Sequence, residues 1–322
     1  MNVVSGTDSF IGAGDGNAIA SNEAFIGGGG NNAISSSGSL YSAIGGGYGN
    51  KIASTTNNGG EYAAIAGGAD NAISGLGAAI GGGYDNVAGG EFGTVPGGKL
   101  NAANGFGSFA AGTGAKALQN GTFVWSDNAG TTGLVSNAPY EFLARASGGF
   151  FLFTNAKQTA GVKLAPGSGA WASLSDRRMK TGIVPLDDAA VLEKVARLPV
   201  TMWSYTSERG VRHVGPMAQD FYAAFGIGED DRHITSIDED GVALAAIKAL
   251  HAENRSLHAE NRDLHAVNIS LRQRIVRDEA QRRVDEARLG ALERKVETLA
   301  SDPQRSRREN RCGSARRCDG TR

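Results

Sequence analysis

AIGGGYGNKI, Ala43 to Ile52, is one of six closely matching segments in the first third of this 322-residue chain. The others are FIGAGDGNAI from Phe10, FIGGGGNNAI from Phe25, AIAGGADNAI from Ala64, AIGGGYDNVA from Ala79 and TVPGGKLNAA from Thr94; a weaker copy, SFAAGTGAKA, starts at Ser108. Starts recur every 14 to 15 residues, stretched to 18 and 21 where SSSGSLYS and STTNNGGEY are inserted. Each copy joins a short apolar step to a Gly- and Asn-rich corner. The phase predicts that Ile11, Ile26, Ile44, Ile65, Ile80 and Val95 stack as one inward column, with Gly and Asn supplying positive-φ corners. One copy cannot bury its own apolar face, so the copies are expected to stack as a solenoid of short parallel strands. A flexible Gly-rich linker is the competing reading, but linkers do not hold Ile and Asn in phase.

Over about residues 10 to 118 these copies resemble the head repeats of YadA-like trimeric autotransporter adhesins. The resemblance implies a left-handed parallel β-roll, three of which pack side by side. That family also requires a secretion leader and a membrane barrel. MNVVSGTDSF has no basic start followed by an apolar stretch, no run of eighteen apolar residues occurs, and the last twenty residues are polar. The expectation is the head fold without the anchor, and no membrane insertion.

Charge divides the chain near Ser175. Residues 1 to 174 hold six Lys/Arg and nine Asp/Glu, against twenty-six and twenty-four in residues 175 to 322. The net charge of −1 cancels between the two parts and argues neither for nor against a nucleic-acid or membrane partner. Between repeats and boundary, residues 119 to 174 read as a β-rich neck closing the solenoid, from GTFVWSD, EFLARAS, GGFFLFTN and GVKLAP. Asp127 and Glu141 lack the aromatic surroundings of a glycosidase carboxylate pair and read as surface groups.

SDRRMK, Ser175 to Lys180, carries the chemistry. A serine hydroxyl is a weak nucleophile at neutral pH, and a lysine activates it only after losing its proton. Burial in a dry pocket and the neighbouring charges of Arg177 and Arg178 would favour that loss. A strand-to-turn conformation across a spacing of five can fold Lys180 back onto Ser175. The adjacent bond, Leu174–Ser175, is the obvious substrate, because tethering replaces binding. Ser-Asp is also a common helix cap and Lys180 could be an ordinary surface lysine, so the motif needs its companions. These are HVGPMAQD, His213 to Asp220, and a heptad run.

In that run Ile247, Leu250, Asn254, Leu257, Asn261, Leu264, Asn268, Leu271 and Ile275 alternate between a and d positions. The frame passes through Asp278, Arg282 and Asp285, then recovers at Leu289, Leu292, Val296 and Leu299. Asn254, Asn261 and Asn268 at a trade stability for register. His251, His258 and His265 at e, with Glu253 and Glu260 at g, read as rim residues rather than metal ligands.

The ordered set, over about residues 171 to 275, resembles the endosialidase-type intramolecular chaperone (peptidase family S74), a self-cleaving C-terminal domain of phage tail spikes and fibres. The resemblance implies a Ser175–Lys180 dyad cutting at Leu174–Ser175. It assigns supporting positions to His213 and Gln219, which would orient the dyad or stabilise the oxyanion. Asp176 is expected to hydrogen-bond the turn. The three-stranded state of the coil also rests on this resemblance.

The expected fold class is therefore a mainly β N-terminal part, an α+β chaperone domain and a long helical coiled coil, as a homotrimer. The expected domains are head repeats 1–118, neck 119–174, self-cleaving chaperone 175–246, coiled coil 247–300 and a disordered basic tail 301–322. The function expected is a trimeric tail fibre or spike, a virion component made in the host cytoplasm. Expected partners are its own copies, a host surface receptor of glycan or envelope type, and other tail or baseplate proteins. No cofactor, metal or specific nucleic acid is expected. The rival expectation is a bacterial surface adhesin or stalk keeping an uncleaved chaperone-like cap. Cys312 and Cys318, the only cysteines, leave the redox compartment open.

Overall fold

In a computed structural model, residues 1–35, 37–53, 60–130 and 132–301 are described. The basic tail with Cys312 and Cys318, and most of the STTNNGGEY insertion, lie outside them. The chain forms two compact units, Met1–Thr181 and Gly182–Arg322.

The first unit is a solenoid of about nine turns. Each repeat contributes two two-residue strands, one to each of two parallel sheets. In one sheet Phe10 pairs with Phe25, Phe25 with Ala43, Ala43 with Ala64, Ala64 with Ala79 and Ala79 with Thr94. In the other Ala18 pairs with Ala33, Ala33 with Lys51, Lys51 with Ala72 and Ala72 with Val87. The first residue of each strand faces outward and the second inward, the period of two of an extended chain. The expected column of Ile11, Ile26, Ile44, Ile65, Ile80 and Val95 faces a second column that the sequence reading did not separate, Ile19, Ile34, Ile52, Ile73 and Ala88. The fully buried isoleucines contribute about 1.5–3 kcal/mol each. The weak seventh copy enters at Phe109, which pairs with Thr94, not at Ser108.

Glycine makes the tightest corners, and the asparagine expected beside it there is buried inside the coil instead. The corners are made by the fifth residue of each copy, Gly14, Gly29, Gly47, Gly68, Gly83 and Gly98, at φ of +88° to +100°. A Cβ there would come within 1.9 to 2.3 Å of a carbonyl oxygen in the next coil. Two residues on, Gly16, Asn31, Gly49, Asp70, Asp85 and Leu100 take φ of +54° to +70°. The repeat asparagines themselves, Asn17, Asn32, Asn50, Asn71, Asn86 and Asn101, are fully buried and form an internal ladder. Asn32, for example, donates through Nδ2 to the carbonyls of Gly28 (3.0 Å) and Gly47 (2.9 Å), and its Oδ1 accepts from the Asn50 backbone N–H at 3.0 Å. An amide carries two donors and an acceptor with two lone pairs, so it can satisfy tight-turn carbonyls that water does not reach. The ladder ends at Asn101, whose Oδ1 accepts from the backbone of Ala115.

The sheets do not stop at residue 118. Phe123–Ser126 and Phe142–Arg145 continue one sheet in parallel register, and Leu134–Val135 ends the other. The first half of the expected neck is therefore solenoid, because its strands satisfy their backbone groups on the preceding coil. Arg145 ties this end together, donating to Asp127 Oδ1 at 2.9 Å, to Ser126 Oγ at 2.8 Å and to the Thr132 carbonyl at 2.9 Å. Beyond it, Phe150–Phe153, Gly161–Leu164 and Trp171–Ser173 form an antiparallel sheet.

The second unit holds three helices and a two-stranded antiparallel sheet, Thr201–Trp203 with His213–Gly215. Helix α1, Asp188–Arg197, is capped by Asp187, which accepts from the Ala190 N–H. Helix α2, Ala218–Phe225, ends on Gly226 at φ +65°. Helix α3, Ser236–Ala300, starts at a Thr235 cap. Val191, Phe221, Val242, Ala245 and Ala246 form the core, and Lys248 reaches Asp188 at 2.6 Å. The expected division at 246/247 is not a chain break, since α3 is one helix of 65 residues, about 98 Å long. Burial, not secondary structure, changes there: past Ala249 the heptad stripe is uncovered, with Leu257 57% and Leu264 60% exposed. Among the described residues no helix is long and apolar enough to cross a membrane.

Candidate active site

The antiparallel sheet of the first unit delivers the chain to the motif. Ser173 pairs with Val162, and the Leu174 N–H donates to the Gly161 carbonyl at 3.3 Å. The strand is thus held up to the bond that the spacing singled out. Beyond it the chain closes into a single 3₁₀ turn, Arg177–Met179. Asp176 caps this turn, its Oδ1 accepting from the Arg178 N–H at 2.9 Å. The backbone bonds from Met179 to Asp176 (3.0 Å) and from Lys180 to Arg177 (3.2 Å) complete it. The tight turn sends Lys180 back along the chain, so that its Nζ donates to Ser175 Oγ at 2.8 Å.

Arg178 is matched by Asp176, Nη2 to Oδ2 at 2.6 Å. The guanidinium and the backbone N–H of Arg178 together hold the Asp176 carboxyl below its usual range. The charge expected to act on Lys180 is in this way partly spent on the cap. Ser175 and Lys180 are both exposed, so among the described residues the pair does not have the dry surroundings expected for it.

His213 and Gln219 belong to the second unit. His213 opens the strand His213–Gly215, opposite Trp203. Its ring stacks on Trp203 at 4.8 Å and meets Tyr205 edge-on at 5.5 Å. Its Nε2 is buried without a hydrogen bond, the Glu208 carboxylate standing 3.7 Å away. Trp203 Nε1 is likewise buried and unpaired. Gln219, in the first turn of α2, lines a groove of about 540 Å³ with Trp203, Tyr205, Pro216, Arg232 and Glu239. The aromatic pair around His213 escaped the sequence reading; the signal was the alternation of VTMWSY, the partner strand of HVG.

The carboxylates weighed as a glycosidase pair have other partners, Asp127 with Arg145 and Glu141 with the Asn137 N–H. Asn254, Asn261 and Asn268 are exposed on α3, as are His251, His258 and His265. Among the described residues no group of three or more His, Cys, Asp and Glu could hold a metal ion.

No curated protein matches the chain. Residues 175–226, from the serine that Lys180 contacts to the glycine that caps α2, match the Peptidase_S74 family model, described as chaperone of endosialidase.

Proposed function

We propose that this is a trimeric, tail-fibre-like protein whose second unit aligns three chains during folding and whose Ser175–Lys180 pair then cuts the chain at Leu174–Ser175. The 2.8 Å contact between Lys180 Nζ and Ser175 Oγ, next to a strand held as far as Leu174, carries the cleavage half of this reading. In the proposed step neutral Lys180 takes the hydroxyl proton and Oγ attacks the Leu174 carbonyl. The C–N bond breaks, the proton passes to the leaving amine of Ser175, and water hydrolyses the resulting ester. Because both side chains are exposed in one chain, the desolvation that frees Lys180 of its proton is assigned to docking of the three copies.

Two uncovered apolar surfaces support self-association. One is the heptad stripe of α3 from Leu250 to Leu299. The other is the outer face of one solenoid sheet, where Phe109, Phe123 and Phe142 stack at 4.6 and 4.5 Å and Phe10 stacks on Phe25 at 6.2 Å. A solenoid built from long-range pairings folds slowly and is prone to misassembly, which is the task an aligning domain relieves. After the cut the solenoid would persist behind a high unfolding barrier. Its surface would meet the host, and the virion tail of a phage or prophage is the proposed place. Mass spectrometry of freshly expressed protein tests the reading: fragments 1–174 and 175–322 are expected, and Ser175→Ala and Lys180→Ala stay whole. Uncut wild-type protein would favour the rival, an uncleaved surface stalk.

A further inference from the structure

A further corner of the solenoid also turns through positive φ and carries aromatic side chains. The corner residues Asp8, Glu23, Tyr41, Tyr62, Gly77, Phe92, Gly107, Gly121 and Tyr140 all have φ between +53° and +65°. They lie in register, with the Tyr62 N–H bonded to the Leu40 carbonyl, Gly77 to Glu61 and Phe92 to Leu76. Gly77, Gly107 and Gly121 meet this requirement freely, whereas a bulky L residue is strained there. Tyrosine nevertheless occupies it at 41 and 62, in the two coils where the repeat lengthens from 15 to 18 and 21 residues.

These rings are not held by a core. Tyr41 and Tyr62 are 52% and 58% exposed and stack on each other at 5.3 Å, nearly parallel. Carboxylates flank them: Glu23, as acceptor and as charge, raises the Tyr41 phenol pKa above its ordinary value, and Glu61, chiefly through its charge, does the same for Tyr62. Farther along, Phe92 leans over Gly77 and meets Phe106 edge-on at 5.6 Å. The segments 20–24, 37–42, 60–63, 74–78 and 89–93 contain no Lys or Arg, and three of them carry a glutamate, Glu23, Glu61 and Glu91. Strained residues retained on an exposed surface are characteristic of ligand contacts.

We infer that this corner, centred on Tyr41 and Tyr62 with Glu23 and Glu61, binds carbohydrate chains made of uncharged hexoses or N-acetylhexosamines. Flat aromatic faces cover the C–H faces of a pyranose, and the carboxylates accept from its hydroxyls. The same acids repel sialylated or other anionic sugars. The inference rests on the proposed surface-binding role of the first unit and names its ligand class.

The test is calorimetric titration of the full-length protein with mannohexaose, chitohexaose and, as the anionic arm, sialyllactose. Binding is expected for at least one uncharged oligosaccharide and not for sialyllactose. The variant Tyr41→Gly/Tyr62→Gly removes the rings while relaxing the backbone, so it should melt no lower than wild type yet bind at least tenfold more weakly. Tyr41→Phe/Tyr62→Phe, which keeps the stacking faces, should retain more affinity than the glycine variant. Absence of binding by both uncharged probes, sialyllactose binding as tightly as they do, or a glycine variant binding within threefold of wild type overturns the inference. Trimer formation and chain cleavage, followed in the same samples, report on the maturation reading separately.

Discussion

Oδ1 of Asn50 accepts from both the backbone N–H and the side-chain amide of Asn71, at 3.1 and 3.0 Å, although the two residues are 21 apart in sequence. Asn71 Oδ1 in turn accepts the same pair of bonds from Asn86, and Asn71 Nδ2 also donates to the carbonyls of Gly67 and Gly83. Asn71→Ala would leave several buried partners unpaired at about 1–3 kcal/mol each. The expected loss is at least about 3 kcal/mol. Urea unfolding of the solenoid measures it, and a loss below about 1 kcal/mol would mean that water replaces the amide.

Gly46 and Gly47 are neighbours with opposite tolerances. Gly47 has φ +95°, and a Cβ on it would sit 2.1 Å from the Gly68 carbonyl oxygen. On Gly46 the nearest atom is the Gly28 oxygen at 3.8 Å. Gly47→Ala should cost on the order of 3 kcal/mol through strain and coil separation. Gly46→Ala should stay within about 0.5 kcal/mol of wild type. Paired melting curves decide, and equal effects would contradict the assigned corner.

Asp127 anchors the last coil. Its carboxylate accepts from the Ser147 N–H at 2.6 Å and from Arg145 at 2.9 Å, and these bonds hold its pKa far below the usual carboxylate value. A depressed folded pKa means the stabilisation is present above the unfolded value, near 3.9, and is lost as pH falls through the folded one. Wild type should therefore lose thermal stability below about pH 4. Asp127→Asn should melt lower at pH 7 and show a flatter acid limb. Parallel limbs would remove Asp127 as the cause.

The Asp176 cap positions the proposed dyad without touching the bond to be cut. Asp176→Ala removes the bonds to the Arg178 N–H and guanidinium. A displacement of about 1 Å at Lys180 slows a tethered reaction by up to roughly a hundredfold. Cleavage of this variant should be slow but complete, unlike that of Lys180→Ala. Time-resolved gel analysis separates the two, and wild-type kinetics for Asp176→Ala would show that the turn needs no cap.

Asn254, Asn261 and Asn268 lie on the uncovered stripe of α3. Once covered by other copies, each amide must find a partner or remain unsatisfied at about 1–3 kcal/mol. Replacing all three by Ile should raise the melting temperature of the coil but loosen its register and chain number, since hydrophobic seams tolerate sliding. Sedimentation analysis beside the cleaved fraction checks this. Sole trimers with full cleavage would assign alignment to the helices around Phe221 instead.

The repeat phase, the Ile column, the lysine five residues after Ser175 and the heptads were legible in the sequence, because periodic burial and short loops are local properties. A 15-residue period names which residues meet, Phe10 with Phe25 or Ile11 with Ile26, without any knowledge of the rest. It does not say which polar side chain turns inward. Asparagine is usually solvated, so only the closed coil, with its unsatisfied turn carbonyls, decided that Asn32 and Asn50 are core. The continuation of the sheets to Arg145 likewise came from tertiary structure, since GTFVWSD departs from the repeat and is recruited by the open edge before it. The five-residue spacing allowed the contact between Lys180 and Ser175, but the capped 3₁₀ turn set its distance, and solvent exposure followed from what packs around that turn. Burial depends on neighbours distant in sequence, and that is the information one strand of residues cannot hold.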